Sequence, residues 1–214
     1  MSIRHVGIIG NGVIGKQLEH LIAEGHKSGD LSFTYFDDRM FANNEPSSYP
    51  LLEYTNAQFT NLEFYIGLGY KCTTLKRSVA DRLFEGNFRF PAVIHYSACL
   101  HPSVHVGNGV VIYPMCNLGF DVKVGYGSII NKSCTIAHDS VIGKCSFLAP
   151  SITLCGGVKV GDNCFIGAGT IVADNVVIGN NVTVGIGSVI TKDIADGLQV
   201  IGNPARVVSE LNIR

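Results

Sequence analysis

From Ile94 to Ile190 every sixth residue is aliphatic, so that seventeen successive positions carry Ile, Leu or Val without a break. An amphipathic helix repeats its apolar stripe every 3.6 residues and a half-buried strand every 2, and neither accounts for a strict period of six. A hexad kept up for about a hundred residues marks a solenoid, whose short strands bury one face only by stacking on their own repeats. Glycine stands directly after the aliphatic residue eight times, at Gly107, Gly119, Gly125, Gly143, Gly161, Gly167, Gly179 and Gly185. These positions are expected to be tight corners with positive φ, which glycine adopts without steric cost. Four positions after the aliphatic residue, small or β-branched side chains such as Val104, Ser128, Ser140 and Thr170 recur. Cys116, Cys134 and Cys164 fall at this same place. Seven cysteines with no CxxC pair fit neither a disulfide framework nor a zinc knuckle, and these three read as packing groups.

The hexad resembles the left-handed parallel β-helix of the hexapeptide acyltransferases, in which three hexads make one triangular coil of eighteen residues. The handedness comes from that resemblance, since parallel crossovers are otherwise right-handed. Residues eighteen apart should then stack about 4.8 Å from each other, the spacing of paired strands. In "TIAHDSVIG", His138 falls between Phe120 and Gly156, and Asp139 falls beside Gly157. A base, its orienting carboxylate and backbone N–H donors from a Gly-Gly pair are thus expected on one ridge of the prism.

The first ninety residues follow a different pattern. "VGIIGNGVIGKQLEHLI" reads as a buried strand, a GxGxxG turn through Gly10, Asn11, Gly12 and Gly15, and a helix with apolar Ile14, Leu18 and Ile22. Such a turn brings backbone close to a phosphate at a helix N-terminus. A second strand leads to Asp37 and Asp38, about twenty residues on, where a dinucleotide fold places its ribose-binding acid. A third strand ends at Gly67, turns through Gly69 and Lys71, and leads into a second helix. The intervening "MFANNEPSSYPLLEYTNAQFTN" reads as a loop with one helical turn. About ninety residues suffice for one β-α-β-α-β half of a dinucleotide fold, which suits a mononucleotide. That length weighs against the competing reading, an NAD-dependent oxidoreductase.

A Rossmann-like domain over 1–90 followed by a hexapeptide β-helix over 91–214, with "GNGVIG", "NKSCTIAHDSVIG", "LCGGVKVGDNCFIGAGTIV" and "VIGNPAR", resembles the NeuD/PglD-type nucleotide-sugar acetyltransferases. The resemblance implies an α/β plus all-β fold, a cytoplasmic homotrimer with sites between adjacent β-helices, acetyl-CoA as co-substrate, and no metal. It implies N-acetylation of a nucleotide-linked 4-amino-4,6-dideoxy sugar for bacterial surface glycans, with sialic-acid O-acetylation as the alternative. Carried over by position, His138 would be the general base, Asp139 its orienter and the Gly156 N–H the oxyanion donor. Gly10, Asn11, Gly12, Asp37, Asp38, Gly67, Gly69 and Asn131 would meet the nucleotide sugar. Phe147, Gly156, Gly157, Ala168, Ile186 and Pro204 would line the path of coenzyme A. Phe147 stands where several relatives have a second histidine, which is a departure from the family pattern.

Composition narrows the alternatives. A formal net charge of −1 with no Lys/Arg cluster gives no footprint for nucleic acid or an anionic membrane, and neither partner is expected. No apolar run approaches the roughly 20 residues that span a bilayer. His95, His101 and His105 open the solenoid and invite comparison with the zinc site of β-helical carbonic anhydrases. No pair of solenoid histidines has the five-residue spacing that site needs, and the three read as surface or subunit-contact residues. A catalytically inactive scaffold is the remaining alternative, and the His138-Asp139 pair argues against it.

Overall fold

The computed structural model describes residues 3–24 and 29–210. The chain divides into two compact units, Met1–Val93 and Ile94–Arg214.

In the first unit the elements run β1 (Arg4–Ile9), α1 (Val13–Ala23), β2 (Leu31–Phe36), α2 (Asp38–Ala42), β3 (Ser48–Tyr49), β4 (Glu63–Ile66) and α3 (Thr73–Glu85). The strands form one parallel sheet in the order β3-β2-β1-β4. Burial on both faces explains the continuous apolar run of β1, in which Val6, Ile8 and Ile9 are fully buried. On α1 the buried Gly15, Leu18 and Ile22 recur at helical spacing and form its inner stripe. Because β2 lies on one side of β1 and β4 on the other, strand order reverses at β1. The crevice beyond the carboxyl ends at such a reversal is where open α/β sheets bind ligands.

The segment read as a loop is more ordered than its sequence suggested. It contains α2, β3 and two 3₁₀ turns, Leu51–Thr55 and Ala57–Phe59. The reason is aromatic: the turns carry the buried Tyr54 and Phe59 onto Phe36, with ring centroids 6.4 and 4.9 Å away and edge-to-face geometry. Spacing within the segment has neither helical nor strand period, so this tertiary anchoring left no local signature.

The second unit is a parallel β-solenoid of two-residue strands on three faces. Each strand pairs with the one eighteen residues away, as Thr135 does with both Asn117 and Thr153. The hexad aliphatics fill the interior; Ile112, Ile130, Leu148, Leu154, Ile166 and Val184 have no exposed surface. Corner side chains four positions on also point inward, and their polar atoms find carbonyls of the next coil. Ser128 Oγ donates to Gly143 O at 2.6 Å and Ser146 Oγ to Gly161 O at 2.8 Å. The cysteines behave alike, with Cys116 Sγ 3.0 Å from Asn131 O and Cys164 Sγ 3.0 Å from Gly179 O. Burial pushes the Cys164 thiol up to about 11, leaving it protonated and unreactive at neutral pH. An antiparallel hairpin, Leu198–Gly202 with Ala205–Glu210, closes the solenoid.

One expectation about the corners is corrected. The eight glycines after the aliphatic residue do not take positive φ; the left-handed residues lie two positions later, at Met115, Asp121, Ser133, Asp139, Cys145, Gly157 and their equivalents. The glycines are needed for room. A Cβ on Gly143 would lie 2.4 Å from the Gly161 carbonyl carbon, and one on Gly167 would lie 2.6 Å from Ile186 N. Coils stacked at strand spacing leave no space for a methyl group there.

Candidate active site

His138 and Asp139 occupy the corner between the strands Thr135–Ile136 and Val141–Ile142. Side chains one residue apart diverge on a strand, but Asp139 sits at φ 58°, and this left-handed corner turns its carboxylate back toward its neighbour. His138 Nδ1 lies 2.8 Å from Asp139 Oδ2, with about two thirds of each side chain exposed. This contact fixes Nδ1 and leaves Nε2 for chemistry. The Nε2 edge lies over Gly156, where a Cβ would stand 2.7 Å from both Cε1 and Nε2. Gly156 therefore contributes an absence, a notch in the ridge that the imidazole leans into.

On the other flank of His138 in the stack is Phe120, about half exposed and braced edge-on by His101 at 5.2 Å. The stacking expected from the eighteen-residue coil is thus realised, for Asp139 N donates to Phe120 O and Gly157 N to His138 O, each at 2.9 Å.

The donors expected from the Gly-Gly pair are already engaged. Gly157 N–H is used in that inter-coil bond, and Gly156 N–H donates to Asp174 Oδ1 at 2.9 Å. Gly156 N–H, expected to serve an oxyanion, thus has a carboxylate partner in this structure. Sequence reasoning missed Asp174, although two coils from His138 is thirty-six residues and the signal was available from the period.

The other solenoid residues expected in the site lie elsewhere on the prism. Asn131, Ala168 and Ile186 share a second corner, between the faces that carry Ile129–Ile130 and Thr135–Ile136. Asn131 Oδ1 accepts the Lys132 N–H at 2.8 Å, and Ile186 is strongly exposed. Pro204 lies in the turn of the closing hairpin. Beside that hairpin a cavity of about 390 Å³ is lined by Lys192, Asp193, Val200, Ala205 and Arg206. Phe147 is only 6% exposed and stacks on Phe165 with centroids 5.8 Å apart. Phe147, expected along the coenzyme path, has its ring packed on a different face from the corner that carries His138.

In the first unit the glycines do converge. A Cβ on Gly67 would fall 2.0 Å from Gly10 O, and one on Gly15 would fall 2.4 Å from the same atom, so only glycines let these loops meet at the strand reversal. Gly10 also takes φ +82°. Both α1, entered through Gly12, and α3, entered past Gly69, lack a side-chain cap and a first-turn acid, leaving N–H groups available to an anion.

Both acids make hydrogen bonds within the first unit. Asp37 is buried; it accepts the Asn11 N–H at 2.8 Å and caps α2 through the N–H groups of Arg39 and Met40. Burial works to raise its pKa, but these donors outweigh it and hold the carboxyl below the usual range. Asp38 Oδ1 accepts the Leu51 N–H at 2.8 Å. Together they stitch the glycine loop to the aromatic segment. A cavity of about 380 Å³ opens beside them, lined by Asn11, Gly12, Lys16, Arg39, Met40 and Asn43. Lys16 and Arg39, which sequence reasoning passed over, each directly follow a motif it used, the GxGxxG and the Asp pair.

Among the described residues no group of three or more His, Cys, Asp or Glu side chains is placed to hold a metal ion, and no helix is long and apolar enough to cross a membrane.

Residues 153–192 match the family described as Bacterial transferase hexapeptide (six repeats). Among solved structures, the chain is similar to the acetyltransferase domain of PglB from Neisseria gonorrhoeae, with 27% identity over 96% of this chain and 100% of that one and a TM-score of 0.85. It is similar to PerB from Caulobacter crescentus, solved in complex with CoA and GDP-perosamine, with 29% identity over 97% and 99% of the two chains and a TM-score of 0.85. WeeI from Acinetobacter baumannii shares the fold at 24% identity, over 95% and 100% of the chains, with a TM-score of 0.80. No curated protein sequence matches the chain closely enough to count as a relative.

A hexapeptide solenoid similar over nearly the whole chain to the PglB acetyltransferase domain and PerB defines an acyltransferase. Its repeat matches the bacterial transferase hexapeptide model over residues 153–192, and the chain is similar over nearly its whole length to hexapeptide-repeat sugar acetyltransferases.

Proposed function

We propose that the protein transfers an acetyl group from acetyl-CoA to the 4-amino group of a nucleotide-linked 4-amino-4,6-dideoxy sugar, in the cytoplasm, in the assembly of bacterial surface glycans. The observation that carries this reading is the His138–Asp139 pair, 2.8 Å apart, with its Nε2 edge turned into the Gly156 notch. PerB, which was solved with CoA and GDP-perosamine, supports the choice of an amino sugar on a nucleotide.

In this mechanism the neutral amine attacks the thioester carbonyl carbon. A C–N bond forms, and the C–S bond breaks as the tetrahedral intermediate collapses. His138 Nε2 takes the proton that leaves nitrogen and delivers it to the departing sulfur, giving amide and free coenzyme A. Asp139 holds the imidazole at Nδ1 while Nε2 carries the proton. No acyl-enzyme is required.

The nucleotide would occupy the glycine crevice of the first unit, where the open ends of α1 and α3 and the cationic Lys16 and Arg39 suit a diphosphate. The protein would act as a homotrimer. Asn131, Ala168 and Ile186 stand at a different corner from His138, so a neighbouring copy is needed to bring those surfaces to the base.

A thiol-release assay with acetyl-CoA and a panel of UDP-, dTDP- and GDP-linked 4-amino-4,6-dideoxy sugars tests the reading. Turnover with one of them is expected. Silence across the panel while coenzyme A still binds would overturn it.

A further inference from the structure

We propose that Asp174 is a second substrate-contacting carboxylate, one that receives the acceptor's amino group opposite His138 and makes the site selective for amines over hydroxyls. The inference rests on the N-acetylation reading above and adds to it a residue and a basis for specificity.

Gly156 is the vacant position in a stacked column that runs Phe120, His138, Gly156, Asp174. From the point where a Gly156 Cβ would stand, His138 Nε2 is 2.7 Å away and Asp174 Oδ1 is 3.4 Å away. The notch is therefore walled by an imidazole nitrogen on one side and a carboxylate on the other. Asp174 spends Oδ1 on the Gly156 N–H, and its exposed side chain keeps Oδ2 for another donor.

That pairing fits an amine. A 4-amino group arrives at neutral pH as an ammonium with N–H donors on several sides and a positive charge. It can donate to His138 and to Asp174 together, and a charge-assisted bond to a carboxylate is about twice as strong as a neutral one. A hydroxyl has a single donor; once it donates to His138 it can offer Asp174 only lone pairs. The ammonium sheds one proton to water, its lone pair attacks the thioester carbonyl carbon, and the second N–H proton passes to His138 Nε2 and on to sulfur. Asp174 retains the nitrogen throughout and is not consumed.

The experiment is a steady-state comparison of wild type with Asp174→Asn, using the amino sugar nucleotide that turns over best and its 4-hydroxy counterpart. Asparagine keeps an oxygen for the Gly156 N–H and removes only the charge, so a purely structural prop is preserved. The expected result is a rise of about tenfold or more in the acceptor KM, with kcat and the acetyl-CoA KM little changed and the preference for amine over hydroxyl reduced. An unchanged acceptor KM would overturn the proposal, as would a shifted acetyl-CoA KM, because Asp174 would then be serving Gly156 or the acyl donor. Faster turnover would overturn it too, by showing that Asp174 merely obstructs the Gly156 N–H. Wild-type inactivity toward every amino sugar nucleotide would instead remove the N-acetylation reading, and this inference with it.

Discussion

Asp139 reaches back from a left-handed corner to hold Nδ1 of its immediate neighbour His138 at 2.8 Å, a contact between adjacent residues that an extended strand forbids. The turn residue of the coil and the partner of the imidazole are the same amino acid. Asp and Asn are the non-glycine residues that tolerate this conformation best, so the fold and the chemistry ask for one residue type here.

His138→Ala should lower kcat by about 10²–10⁴, the usual contribution of a general base. About two thirds of the side chain is exposed, so thermal stability should hardly move. Asp139→Asn keeps the shape and loses the charge, and is expected to fall between wild type and His138→Ala. Thiol release and a melting curve on the same preparations check both statements. A His138→Ala enzyme retaining more than about a tenth of the rate would remove His138 as the base.

Gly156→Ala should act on chemistry and Gly157→Ala on stability. A methyl group at Gly156 displaces the imidazole edge, and activity should drop sharply while the solenoid remains folded. Gly157 has φ +69°, a backbone conformation in which alanine is strained, and a Cβ there would also push aside the Asn175 side chain, whose Oδ1 lies 2.5 Å away. The left-handed backbone alone costs about 1–2 kcal/mol. Parallel measurements of kcat and unfolding midpoint separate the two positions.

Gly143→Ala should destabilise the solenoid by about 1–3 kcal/mol, as overpacking of a close-fitted interior does. Its Cβ would meet three backbone atoms of the next coil within 2.6 Å. Gly169→Ala is the control for backbone strain, since it has positive φ but only one heavy atom, 4.0 Å away. Urea midpoints should place Gly143→Ala clearly below that control.

Asp37→Ala removes the cap of α2 and the tie to the glycine loop, and should cost the first unit about 1 kcal/mol or more. Asp37 has a folded pKa below its unfolded value of about 3.9, so its contribution is complete above that value and is lost as pH falls through the lower, folded one. The stability gap between wild type and Asp37→Ala should therefore be constant near neutrality and close below about pH 4. Denaturant titrations at stepped pH follow it.

Tyr113→Phe should leave stability unchanged or raise it by about 1 kcal/mol. The Tyr113 hydroxyl is buried without a hydrogen-bond partner, and burial pushes its pKa up to about 12. Removing an unsatisfied polar group relieves its desolvation cost. A clear loss of stability in the melting curve would contradict this account.

By itself the sequence determined the solenoid, because a hexad of seventeen aliphatics admits few other ways to bury that many side chains. It also placed Phe120, His138 and Gly156 in one column and Asp139 and Gly157 in the next, since an eighteen-residue coil turns sequence distance directly into stacking. The first unit's strand, glycine turn and helix were legible for the same reason: each is encoded over a few contiguous residues. Tertiary structure alone decided what those residues spend their hydrogen bonds on. Asp37 and Asp38 became ties within the fold, Gly156 gave its N–H to Asp174, and Phe147 was buried against Phe165. It also separated the Asn131 corner from the His138 corner. Periodicity fixes which side chains share a face or ridge, whereas the partner a polar atom takes depends on the nearest acceptor in space, and that is set by the packing of chain segments remote in sequence.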